Sequence, residues 1–92
     1  MPFLINGKKY DPETSEKIYS EGQGDAACRR DGCLSIFRSL KGTIWAVLSY
    51  WPDAFGPQKR ETAVSTEDVR RLCVSLGRID ALEALGQPPE EG

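Results

Sequence analysis

The chain has 92 residues, 39% hydrophobic and 28% charged, a length and balance that suit one folded domain and exclude a compositionally disordered chain. No apolar run reaches the ~20 residues needed to cross a bilayer. Residues 1–7, MPFLING, lack the basic start and long apolar stretch of a secretory signal, so a cytosolic protein is expected. The net charge of −2 is unevenly spread: residues 27–60 carry six Lys/Arg against two Asp, while residues 1–26 sum to −2 and residues 61–92 to −4. That pattern fits solvated faces that pair with one another, or a basic surface for an anionic partner.

Phe3 to Tyr10 reads as a small hairpin at an edge, because Asn6-Gly7 tolerates the positive φ that a type I′ turn requires. Asp11-Pro12-Glu13-Thr14 reads as a turn or the start of a brief helix over Pro12 to Ile18, with Asp able to cap and Pro at home in the first turn. Ser20 to Gly32 is polar, holds three glycines, and reads as a loop.

Leu34–Arg38 and Ile44–Leu48 are rich in β-branched and aromatic residues and form the strongest strand signal. A three-residue loop closing on a bulge at Gly42 would set Phe37 opposite Trp45. Both strands are apolar on both faces, so helices should cover one face and something else should at least partly cover the other. Lys59 to Val64 reads as a further short strand.

Ser65 is the expected N-cap of a helix over 66–76, with Asp68 at the capping-box position. Val69, Leu72, Cys73 and Leu76 follow the spacing of a buried helical face, and Gly77 ends the helix. A second helix over about 81–85 is expected, with Asp80 as cap, Leu82 and Leu85 inward and Gly86 as stop. The predicted fold is therefore α+β. A small antiparallel sheet around the 34–48 hairpin is packed by C-terminal helices, in a single domain over 1–86 with a disordered tail at 87–92.

The chain has no histidine, which removes the commonest general base and zinc ligand and any Ser-His or Cys-His pair. No phosphate-loop, dinucleotide-binding or nucleophile-elbow motif is present. Cys28 and Cys33 stand at the wide end of zinc-like spacing, but Cys73 is the only further thiol and sits on an apolar helical face. No metal site or cofactor is expected, and a reducing compartment argues against a Cys28–Cys33 disulfide. A non-enzymatic protein follows.

The region 51–60 carries the residues read as a binding surface. Trp51 and Phe55 either fold back over the hairpin or form an aromatic anchor on an exposed loop. Arg29 and Arg30 before the hairpin, with Lys59 and Arg60 after the aromatic loop, would flank such an anchor, or are ordinarily solvated.

The run Asn6-Gly7-Lys8-Lys9-Tyr10-Asp11-Pro12-Glu13-Thr14-Ser15 resembles the opening Asn-Gly-Lys-x-Tyr-Asp-Thr-x-Thr-Ala of a family of small phage and mobile-element proteins of unknown function. The Lys41-Gly42 turn between strands and the capped helices over Thr62 to Gly86 follow the same order. Pro12 departs from that pattern, and the Trp51–Phe55 loop has no counterpart in it. No catalytic residues carry over. The resemblance implies a small accessory protein in a bacterial host cytoplasm that binds a host protein or nucleoprotein complex, as inhibitors of CRISPR or restriction systems do. The alternatives are a regulatory nucleic-acid binder using the basic middle, and a structural subunit of a larger assembly.

Overall fold

The computed structural model describes residues 2–22, 32–50 and 60–86. Two short strands open it. β1 (Phe3–Ile5) and β2 (Lys8–Tyr10) pair antiparallel, with Phe3 opposite Tyr10 and Ile5 opposite Lys8. Asn6 and Gly7 both take positive φ, 52° and 78°, as the Asn-Gly turn requires.

Of the two readings of Asp11 to Thr14, the turn is the one that forms, and no helix follows over Pro12 to Ile18. Asp11 instead closes a single turn: its Oδ1 accepts the Glu13 amide at 2.9 Å, and its carbonyl accepts the Ser15 hydroxyl at 2.7 Å. A side chain that bonds the local backbone in this way competes with helix propagation. The chain then runs into a strand, β3 (Glu16–Ser20).

β3, β4 (Cys33–Arg38), β5 (Ile44–Tyr50) and β6 (Arg60–Ser65) form a four-stranded antiparallel sheet in sequence order. The β4–β5 turn forms as expected. Gly42 N–H donates to the Ser39 carbonyl at 2.8 Å, Ser39 N–H donates to Thr43 at 2.8 Å, and Phe37 lies opposite Trp45. A register shift between Lys17 and Tyr19 breaks the alternation of β3, so Ile18 and Tyr19 both reach the same core.

The first helix, α1 (Glu67–Leu76), starts one position later than its sequence signals indicate. Ser65 is not the cap. It stays in the ladder opposite Trp45 and is buried, so the chain must turn at Thr66. Thr66 takes φ 53° and ψ −124°, and its hydroxyl donates to the Ser65 carbonyl, leaving the helix without a side-chain cap. Gly77 ends α1 in the left-handed conformation. The second helix, α2 (Ile79–Ala84), begins two residues before the expected start, with Arg78 rather than Asp80 at its N-cap. Asp80 lies in its first turn, and Leu85 follows its last residue.

Each face of the sheet carries its own core. On one face, Leu34, Ile36 and Ala46 pack with Val69 and Cys73 of α1 and Ala81 and Leu82 of α2. On the other, Phe37, Trp45 and Val47 pack with Ile5 and Tyr10. The N-terminal hairpin is thus not an edge feature but the cover of the second face. Its reason is Trp45, which is fully buried among three rings: Phe37 stacks at 4.6 Å, with Phe3 at 5.8 Å and Tyr10 at 5.6 Å more steeply tilted. Such ring pairs contribute about 0.5–1.5 kcal/mol each beyond their buried area.

Cys33 is disulfide-bonded, where a reduced thiol is the expectation from compartment alone. Cys73 is free and buried, as its place on the apolar face of α1 requires.

Candidate functional site

Of the residues read as a binding surface, Trp51, Phe55, Arg29, Arg30 and Lys59 lie outside the described residues. Arg60 is the first residue of β6, exposed and opposite Tyr50.

Two other groups of polar residues are brought together. The first is internal. Arg78 Nε lies 2.8 Å from Glu21 Oε2, and both side chains are buried. Glu21 also accepts the Tyr19 hydroxyl at 2.7 Å and the Leu34 amide at 2.9 Å, while Arg78 donates to the Gly32 carbonyl at 3.0 Å. Burial first, and the bond to Glu21 second, push the Tyr19 phenol well above its ordinary range. Burial also pushes the Cys73 thiol up, which keeps it protonated and a poor nucleophile. Tyr19, Glu21 and Arg78 thus pair with one another inside the fold.

The second group is external. The β1–β2 hairpin, the Asp11–Ser15 turn and the β4–β5 turn enclose a groove of about 540 Å³. Lys8, Lys9 and Lys41 line it, and all three are exposed. None has an ion-pair partner among the described residues, whereas Arg38, Arg71 and Arg78 pair with Glu16, Asp68 and Glu21. Among the described residues, Asp11 is the one acidic residue on the groove wall, and its carboxylate already accepts the Glu13 amide. The groove is therefore cationic.

Its floor is held rigidly by the fold. Ser15 Oγ donates to the Asp11 carbonyl and accepts the Trp45 indole N–H at 3.2 Å, tying the wall to the aromatic core. Ser39 Oγ accepts the Thr43 amide at 3.1 Å, which leaves its own proton for an acceptor in the groove. Leu40, at the tip of the turn, is 86% exposed and stands beside the lysines.

A larger groove of about 640 Å³ lies on the other side of the same turn, between Thr43 and α1. Arg70 and Arg71 line it with Glu67, and Arg71 is paired with Asp68 at 3.6 Å, so its charge is nearly balanced. Among the described residues no group of three or more His, Cys, Asp or Glu is placed to hold a metal ion. No helix among them is long and apolar enough to cross a membrane.

In sequence, the lysines of the cationic groove belong to two separate hairpins, Lys8 and Lys9 to the arm of the first and Lys41 to the turn of the second. The available signal was an apolar Leu40 next to Lys41 at a hairpin tip, where polar residues are usual. Nothing in the chain announces that this tip meets the Lys8-Lys9 strand. Comparison of the chain with protein-family models, with curated proteins and with solved structures finds no match.

Proposed function

We propose that this chain is a non-enzymatic binding protein of a phage or mobile element, and that it acts by docking on a host defence nucleoprotein complex of CRISPR type. The observation that carries the binding role is the groove bounded by Lys8, Lys9 and Lys41, three exposed cations without ion-pair partners among the described residues. Isolated cations focused on one concavity raise the local potential and steer an anionic surface toward it. The absence of histidine from the sequence supports a role without acid–base chemistry. The host-defence setting rests on the resemblance of residues 6–15 to small phage and mobile-element proteins.

The test is co-purification of the tagged chain with candidate CRISPR effectors, followed by a target-DNA binding assay on each effector. Capture of an effector together with loss of its DNA binding is the expected result. No captured effector, and no protection of phage in cells expressing the chain, would remove the reading. The exposed lysines also favour a second reading, a regulatory nucleic-acid binder. It requires retardation of DNA or RNA by the chain alone at low salt, weakening steeply as salt rises.

A further inference from the structure

The cationic groove is more specific than a charged patch, and its chemistry selects among anionic partners. Lys8, Lys9 and Lys41 supply ammonium groups, which engage carboxylate and phosphate alike. Single-stranded nucleic acid is held by stacking its bases on exposed aromatic rings as well as by charge. Among the described residues, the one aromatic on this groove is Tyr10, and it is buried, with its ring against Trp45. The groove instead presents Leu40, an aliphatic side chain 86% exposed among the lysines. An apolar surface beside cations complements a chain that alternates carboxylates with apolar side chains. Ser39 adds a neutral hydroxyl donor suited to a carboxylate oxygen or a peptide carbonyl.

We infer that the groove between the N-terminal hairpin and the β4–β5 turn binds an acidic protein segment that carries an apolar side chain, with Lys8, Lys9 and Lys41 on its carboxylates and Leu40 against its apolar residue. The inference rests on the binding role proposed above and names the part of the partner that this surface takes.

The probes are three labelled ligands of equal length: a peptide alternating glutamate and leucine, a polyglutamate peptide, and oligo-dT. Fluorescence anisotropy on the full chain reads their affinities. The Glu-Leu peptide is expected to bind most tightly, about tenfold more tightly than polyglutamate, which corresponds to partial burial of one leucine side chain. Leu40→Ser should abolish that difference and leave polyglutamate binding unchanged. The double variant Lys8→Glu/Lys41→Glu should weaken both peptides at least tenfold, a loss of about 1.4 kcal/mol. All three positions are exposed, so unchanged circular dichroism and urea midpoints are expected and serve as the folding control.

Oligo-dT binding equal to or tighter than the Glu-Leu peptide would overturn the inference, as would indifference of peptide binding to Leu40→Ser or to the charge reversals. Capture of an effector that survives Lys8→Glu/Lys41→Glu would also overturn it, while leaving the binding role intact. Tight, Leu40-dependent peptide binding in a chain that captures no effector would support the groove assignment and remove the host-defence reading.

Discussion

Arg78 and Glu21 form an ion pair at 2.8 Å inside the protein, with side chains only 7% and 6% exposed. The pair joins the connection between α1 and α2 to the end of β3, and through the Leu34 amide and Gly32 carbonyl to the start of β4. It thereby fixes the helical layer to the edge of the sheet.

Replacing one partner of a buried pair leaves the other charge poorly compensated. Arg78→Met is expected to lower stability by about 3–5 kcal/mol, and adding Glu21→Gln to recover part of that loss. Urea unfolding of the two variants checks both statements. A loss below about 1 kcal/mol for Arg78→Met would show that the pair contributes little.

The aromatic core on the opposite face depends on Trp45. Trp45→Ala should cost about 3–5 kcal/mol and detach the N-terminal hairpin, whose Phe3 and Tyr10 pack on that ring. Ser15→Ala removes the acceptor of the indole N–H and the donor to the Asp11 carbonyl but leaves the rings in place, and should cost about 1–3 kcal/mol. Amide hydrogen exchange resolves the two, with loss of protection at Phe3–Tyr10 expected in the first variant alone.

Gly32 precedes β4 with φ of 101°, and a Cβ there would lie 2.8 Å from the Ser49 carbonyl oxygen and 3.0 Å from Tyr50 Cβ. Backbone cannot yield as a side-chain tip can. Gly32→Ala should therefore destabilise by about 1–3 kcal/mol. Each kcal/mol should appear as a fall of about 4–8 °C in Tm for a domain of this size.

Stability should also fall at high pH through Tyr19. Its phenol is raised in the folded protein above the ordinary value of 10.0, first by burial and then by its bond to Glu21. The folded state therefore holds this proton more tightly than the unfolded state. The resulting stabilisation is complete below pH 10.0 and is lost as pH rises above it, because the unfolded chain ionises first. Tyr19→Phe should flatten the decline of urea-unfolding stability above that pH. A residual slope from Cys73, raised by burial from 9.0, should survive in that variant. An undiminished slope would place the responsible group elsewhere.

The elements themselves were largely legible in the chain. The Asn6-Gly7 turn, the Phe37–Trp45 register and the Gly77 stop follow from local chemistry, since turn residues and alternating apolar residues act over a few positions. β3 was missed because its signal is two residues, Ile18 and Tyr19, in a charged stretch, and pairing with β4 supplies what propensity does not. The Ser65 cap failed for a similar reason. Its ladder position opposite Trp45 outweighed its capping preference.

Local chemistry along the chain specifies a small α+β fold with a strong central hairpin and two C-terminal helices, and its composition lacks the histidine that common acid–base chemistry uses. Long-range packing sets what lies on each face of that hairpin. It places the N-terminal hairpin over Trp45, pairs Glu21 with Arg78, and sets Lys8 and Lys9 across a groove from Leu40 and Lys41. These relationships join residues far apart in the chain. Local propensity acts over a few residues, whereas long-range partners are chosen by burial and charge once the faces meet.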